Sequence, residues 1–190
     1  MRLIYAVFVL LLALMTSAQC QQNAEDWHNK GEALYSQGKY DEAIQALDKA
    51  IELNPKFASA WVTKSAVFAA QGKYDEVVQA CDKAIELDPN NAKAWSNKGG
   101  AFGIQGKYED AIQAYDRAIE LDPNFAMAWS NKGETLSRQG NYNEAIQALD
   151  EAIKLDPNLA DAWNNKGEAL KALGRTTESN AAFAKAKELG

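Results

Sequence analysis

The sequence predicts an all-α solenoid that is built from five helix-turn-helix units. The main observation is a period of 34 residues, which sets the spacing of five tryptophans: Trp27, Trp61, Trp95, Trp129 and Trp163. The same period recurs in five glycines, one in the middle of each unit: Gly38, Gly72, Gly106, Gly140 and Gly174. Four prolines follow it at the ends of units: Pro55, Pro89, Pro123 and Pro157. A fixed period of this length indicates that one small unit is stacked repeatedly.

The third unit shows how each unit divides into two helices. Trp95, Gly99 and Phe102 recur at helical spacing and predict a first helix over residues 92–105. A second apolar stripe predicts a second helix over residues 109–121. Neither helix is long enough to be stable alone, so the next unit must cover each apolar stripe. We therefore expect the tryptophans to lie in the core of the stack.

The ends of the units carry their own signals. Pro123 ends the second helix because proline has no amide hydrogen, and we expect Asp122 to cap the following helix with Pro123 in its first turn. The last unit carries Asn180 and Lys187 where the earlier units have isoleucine or valine. A terminal unit needs a polar outer face, so we expect the array to end here.

The repeated tryptophan, glycine, alanine and proline positions resemble the tetratricopeptide repeat (TPR) pattern. The resemblance covers residues 24–190 and implies a right-handed α-solenoid. The expected repeats are TPR 1 at residues 24–57, TPR 2 at 58–91, TPR 3 at 92–125, TPR 4 at 126–159, and TPR 5 with a capping last helix at 160–190.

Two units depart from the common pattern. In the second, Ser65 replaces the glycine, Val77 the alanine and Cys81 the large residue. We interpret Cys81 as a small core residue, because buried thiols are usually inert. The third unit has two additional glycines, Gly100 and Gly103, each lowering helix stability by up to about 1 kcal/mol relative to alanine. These glycines either arose by neutral drift or leave space for the backbone of a ligand to approach the helix closely.

Five lysines stand where the TPR pattern has leucine: Lys30, Lys64, Lys98, Lys132 and Lys166. Each lies at the margin of the buried face of its helix. We expect a buried stem with the ammonium group paired to a nearby acid, because long cationic side chains cover apolar surface in this way. A functional basic ridge is the alternative.

Residues 1–18 predict a secretory signal peptide, since a positive start is followed by an apolar run and then by small residues. The 13 apolar residues from Leu3 to Met15 are short for a membrane span, which needs about 20. We expect cleavage after Ala18, with residues 19–23 as a short linker and the repeats exported. The alternatives are a lipid on Cys20 and an uncleaved signal-anchor.

The composition argues against a nucleic-acid-binding, catalytic or metal-binding site. A net charge of -6 and a pI near 4.9 disfavour nucleic-acid binding, which needs clustered basic residues. The single histidine leaves no Ser-His-Asp set, and the recurring carboxylates stand at helix ends. We therefore expect no enzyme, no cofactor and no metal. Membrane contact is expected only through the N-terminal signal or a lipid.

A column of asparagines points to the function that we expect. The residue two positions after each tryptophan reads Asn29, Thr63, Asn97, Asn131 and Asn165. This column is similar to the asparagine ladder of the TPR superhelix in protein O-linked N-acetylglucosamine transferase, where amides hold an extended peptide backbone. An amide suits that role because it both donates and accepts hydrogen bonds. We expect these amides to face solvent when no ligand is bound. The alternative to peptide binding is that the asparagines are only an inherited repeat consensus.

An apolar patch accompanies the ladder in the middle of the expected groove. The predicted peptide-binding residues are Asn29, Tyr35, Val62, Ala66, Asn97, Ile104, Asn131 and Asn165. The expected function is an exported TPR scaffold that binds an extended segment of a protein partner in its concave groove. Two alternatives remain: an envelope protein that self-associates without a groove ligand, and an accessory subunit that presents substrate to a separate enzyme.

Overall fold

A computed structural model describes residues 23–190 and shows ten helices and no strand in that range. The helices form five pairs: α1 (Ala24–Ser36) and α2 (Tyr40–Leu53), α3 (Ala58–Ala70) and α4 (Tyr74–Leu87), α5 (Ala92–Ile104) and α6 (Tyr108–Leu121), α7 (Ala126–Gln139) and α8 (Tyr142–Leu155), α9 (Ala160–Ala172) and α10 (Thr176–Leu189). The predicted all-α fold is confirmed. The predicted signal peptide, its cleavage site and the lipid on Cys20 lie outside the described residues.

The chain divides into two compact units, one ending at Phe57 and one running from Ala58 to Gly190. In the first unit α1 packs on α2, and the Leu47 side chain is fully buried. The ring of the buried His28 lies 5.0 Å from the ring of Phe57. Among residues 23–190, no helix is both long and apolar enough to cross a membrane.

In the second unit the helices form two layers. The inner helices α5, α7 and α9 each pack between the outer helix of their own pair and that of the preceding pair. Neighbouring members of the series α3, α5, α7 and α9 also touch one another. Within residues 58–190, α4, α6, α8 and α10 touch only these inner helices. The inner helices are therefore closer together and form the concave side of this unit.

The loop between pairs differs from the sequence-based expectation. Helix α7 begins at Ala126 with Phe125 as its N-cap, so Asp122 does not cap it and Pro123 is not in its first turn. A carboxylate oxygen of Asp122 instead accepts the amide of Asn124 at 3.1 Å. Proline has no amide to offer, so the aspartate closes a local turn with the next amide along the chain.

Four of the five helix pairs are closed by a glycine that lies against a large side chain. A Cβ atom added at Gly133 would stand 2.5 Å from Cγ of Leu149, so only glycine fits there. The same contact recurs in three other pairs: Gly31 with Leu47, Gly99 with Tyr115, and Gly167 with Phe183. The large residue thus fills the space that a side chain on the first helix would take.

The second pair reverses these sizes. Ser65 and Cys81 are both fully buried, and the smaller Cys81 leaves room for the Ser65 side chain. Burial raises the pKa of Cys81 from 9.0 to about 11, although a hydrogen bond with Ser65 acts in the opposite direction and lowers it. The interpretation of Cys81 as a small core residue is confirmed.

Cys81 should therefore resist thiol reagents in the folded protein. In a Cys20→Ser background at pH 8, we expect a thiol reagent to label Cys81 only after unfolding in guanidinium, because the thiolate is the reactive form. Stability should fall as pH rises from about 9 towards about 11, since the unfolded thiol loses its proton first. Rapid stoichiometric labelling of the native protein would contradict this burial.

Trp129 and Trp163 pack against buried core clusters, as expected, and all five tryptophans are half-buried. Three of them lie against the preceding loop, and their indole Nε1 atoms donate to proline carbonyls: Trp95 to Pro89 at 3.3 Å, Trp129 to Pro123 at 3.3 Å, and Trp163 to Pro157 at 3.0 Å. Each of these rings holds a loop against a helix. The indole must reach the loop to make this bond, which keeps one edge of the ring near solvent.

The lysines pair with acids, as expected, in three repeats. The Nζ atom lies 2.6 Å from a carboxylate oxygen of the preceding outer helix in Lys98–Asp82, Lys132–Asp116 and Lys166–Asp150. The same Nζ atoms lie 5.5 Å from the ring centroids of Trp95, Trp129 and Trp163. The lysines therefore link consecutive pairs, a structural role that needs no ligand.

Candidate functional site

Two cavities open between successive inner helices of the second unit. The first, which we call the α5–α7 cavity, has a volume of about 250 Å³. Its lining includes Gly100, Gly103 and Ile104 from α5, with Asn131 and Thr135 from α7. The second, the α7–α9 cavity, has a volume of about 340 Å³. Both lie on the concave side of this unit.

An ion pair separates the two cavities. The Arg138 guanidinium lies 2.7 Å from the Glu134 carboxylate, and both side chains line both cavities. The rest of the lining of the α7–α9 cavity consists of Ser137, Tyr142, Asn165, Glu168 and Ala172. Among the described residues, the buried Ser137 hydroxyl has no hydrogen-bond partner. This cavity therefore offers an unused polar group as well as an amide.

The α5–α7 cavity has a tyrosine at its base. Tyr115 comes from the outer helix α6 and is only 3% exposed. Burial, reinforced by the nearby carboxylate of Glu134, raises the pKa of Tyr115 well above its ordinary value. Its phenol therefore stays neutral and can donate or accept a hydrogen bond.

The asparagine column divides into two kinds of position. Asn131 lines the α5–α7 cavity and Asn165 the α7–α9 cavity. The Asn97 amide instead donates to the Ser65 hydroxyl at 3.0 Å, so the expectation that it faces solvent is wrong. The cause is the replacement of glycine by Ser65, which places a hydroxyl within reach of α5.

The remaining predicted residues are distributed differently from the expected patch. Ile104 is 57% exposed and lines the α5–α7 cavity, together with Asn131. Val62 and Ala66 are half-buried on α3 and line neither cavity. Asn29 and Tyr35 lie on α1 in the first compact unit, where Asn29 is exposed and Tyr35 is half-buried. Their part in a peptide site stays a prediction.

Sequence reasoning missed two polar groups of the α5–α7 cavity. Thr135 and Tyr115 are 4% and 3% exposed, and both occupy columns that are mostly apolar in the other repeats. A hydroxyl in an apolar column was the available signal. Within residues 23–190, no group of three or more His, Cys, Asp and Glu residues could hold a metal ion.

Comparison with protein families matches the chain to models described as Tetratricopeptide repeat. The matched segments are residues 24–57, 58–91, 80–113, 97–159 and 130–190. Among curated proteins, none matches the chain.

Several solved structures share the fold. MamA is 26% identical with a TM-score of 0.72, over 84% of this chain and 93% of that one. PilF of Pseudomonas aeruginosa is 21% identical with a TM-score of 0.80, over 88% and 76% of the two chains. YrrB, described as a TPR protein with an unusual peptide-binding site, is 23% identical with a TM-score of 0.67, over 93% and 91%.

Proposed function

Because the chain belongs to the tetratricopeptide repeat family, whose members act as scaffolds for protein–protein interaction, we propose that it is an exported, non-enzymatic scaffold. It binds an extended segment of a partner protein along the concave side of residues 58–190. The observation that carries this proposal is the pair of amides, Asn131 and Asn165, which line two adjacent cavities one repeat apart. YrrB shows that a chain of this fold can carry a peptide-binding site.

The chemistry of these amides suits a peptide backbone. Each amide can accept from a backbone N–H and donate to a backbone C=O, whatever the sequence of the segment. Successive amides one repeat apart bind an extended chain at regular intervals. Side-chain selectivity then has to come from the cavities beside them.

Removing both amides should weaken partner binding by roughly 5- to 150-fold, because each lost hydrogen bond contributes about 0.5–1.5 kcal/mol. A partner is first recovered by pull-down from the cell envelope. It is then titrated against the wild type and against Asn131→Ala/Asn165→Ala. Thermal unfolding of the variant should change little, and added salt should have little effect on binding, since the contacts are not ionic.

Asn143→Ala is the matched control, because Asn143 is an exposed asparagine on the outer helix α8. It should bind like the wild type. The proposal fails if the double variant also binds like the wild type while Gln113→Ala, on the outer helix α6, abolishes association. That result would favour the self-associating envelope protein. A recovered partner that is an enzyme would favour the substrate-presenting subunit.

The export part of the proposal rests on the signal-like sequence of residues 1–18. N-terminal sequencing of the natively produced protein should find a mature chain that begins near Gln19, outside the cytoplasmic membrane. A chain that lacks residues 1–18 should remain in the cytoplasm. Intact Met1 in a soluble cytoplasmic fraction would contradict export, whereas a lipid on Cys20 would change only the anchoring.

A further inference from the structure

Helix α5 contains two glycines that its own packing does not require. A Cβ atom added at Gly100 would lie 3.6 Å from the Tyr115 hydroxyl, and one at Gly103 would lie 3.4 Å from the Thr135 hydroxyl. Both are ordinary contact distances. At neighbouring Gly99 an added Cβ would lie 2.9 Å from the Tyr115 ring, so that glycine is needed. The space left open at Gly100 and Gly103 is the α5–α7 cavity.

The walls of this cavity combine apolar and hydrogen-bonding groups. Ile104 supplies an exposed apolar wall beside the bare glycine backbone. The Thr135 hydroxyl already donates to the Asn131 backbone carbonyl at 2.8 Å and is hydrogen-bonded to the Tyr115 phenol. The second lone pair of that phenol and the side-chain amide of Asn131 are the polar groups that a ligand can use. A side chain that has a flat apolar body and a hydrogen-bonding end would match both parts.

The charges of the cavity disfavour an ionic occupant. Its two charged side chains, Glu134 and Arg138, already neutralise each other at 2.7 Å. A cationic or anionic group would have to break this pair or be buried without a partner beside Tyr115, and both outcomes are unfavourable. The occupant is therefore expected to be neutral.

The size of the cavity restricts the occupant to one side chain. Its volume of about 250 Å³ is below the roughly 300–1,000 Å³ of sites for whole small molecules. We propose that the α5–α7 cavity binds a tyrosine side chain of the partner segment, with its ring on Ile104 and the glycine backbone and its hydroxyl bonded to the polar groups at the base. This inference rests on the proposed function, since the tyrosine belongs to the bound segment.

The test uses the full chain and defined peptide probes. Acetylated pentapeptide amides of the form Ala-Ala-X-Ala-Ala, with X as Tyr, Phe, Lys or Glu, are titrated into ¹⁵N-labelled protein. The tyrosine peptide should shift the amide signals of Gly100, Gly103 and Asn131. The phenylalanine peptide should bind roughly 2- to 12-fold more weakly, because it lacks one hydrogen bond. The lysine and glutamate peptides should not perturb these signals.

Two variants make the test specific. Gly100→Ala/Gly103→Ala should raise the Tm by roughly 2–4 °C per glycine, because alanine favours the helix. It should also abolish the tyrosine response, because the two methyl groups cover the backbone on which the ring would lie. Tyr115→Phe retains the ring and should remove the preference for tyrosine over phenylalanine. A general loss of structure would lower the Tm, so a raised Tm together with a lost tyrosine response identifies a local effect on the cavity.

The outcomes separate this inference from the proposed function. A double glycine variant that still binds the tyrosine peptide like the wild type would overturn the tyrosine site. If that variant also binds the native partner normally while Asn131→Ala/Asn165→Ala does not, the groove function stands and only the tyrosine site fails. Equal shifts from all four peptides would likewise overturn the selectivity.

Discussion

Leu149→Ala should lower the free energy of unfolding by about 2–5 kcal/mol. The Leu149 side chain is fully buried in a cluster with Ala152 and Ala162. Gly133 lies directly opposite and has no side chain that could move into the vacated space. The cavity would therefore remain open, which places the loss at the upper part of this range. Chemical denaturation followed by circular dichroism measures it.

Leu87→Ala is the matched control for this prediction. Leu87 ends an outer helix and is 38% exposed, so the same chemical change removes fewer contacts. Its effect should be close to that of a surface substitution, about 0.5 kcal/mol. Equal losses in the two variants would contradict the assignment of Leu149 to the core and of Gly133 as the residue that accommodates it.

Trp129→Ala is expected to have the second largest effect, about 3 kcal/mol, at the low end of values for this change because the ring is half-buried. The ring packs against two core clusters, and its indole N–H bonds the Pro123 carbonyl at 3.3 Å. It also lies under the Lys132 ammonium, which pairs with Asp116. Removing the ring therefore loosens the loop and the lysine together.

Trp129→Phe separates these contributions. Phenylalanine keeps most of the ring contact but loses the bond to Pro123, so the loss should be about 1 kcal/mol. Thermal unfolding of the two variants beside the wild type gives the comparison. If Trp129→Ala melts like the wild type, the repeated tryptophans are surface features and do not hold the repeats together.

The sequence predicted the elements well because their signals are local. A glycine in the middle of each unit allows the positive φ that ends a first helix, 75° at Gly106, and its position is visible without any structure. The apolar stripes predicted the paired helices to within a few residues, as in α6, which begins at Tyr108 where residue 109 was expected. The Asp122 cap was wrong because the competing turn to Asn124 depends on backbone geometry.

The candidate site was predicted less completely, because its contacts join distant positions. Ile104 and Asn131 were named and share a cavity, but Tyr115 and Thr135 were missed. Both stand in columns that are apolar in the other repeats, and a residue in the core can still present one polar atom to a cavity. Only packing shows where that atom lies.

The sequence by itself determined the repeat length, because the same letters recur along the chain at a fixed period. It also determined the helical class and the positions of the turns, since each of these depends on residues a few positions apart. The tertiary structure decided how Asn97 is used, because its partner Ser65 is 32 positions away and lies on another helix. It also decided that Gly99 is required for packing whereas Gly100 leaves an open cavity. Both neighbours are glycine, so the sequence does not distinguish them. The distance from each backbone to Tyr115 does, and that distance depends on how the helices pack.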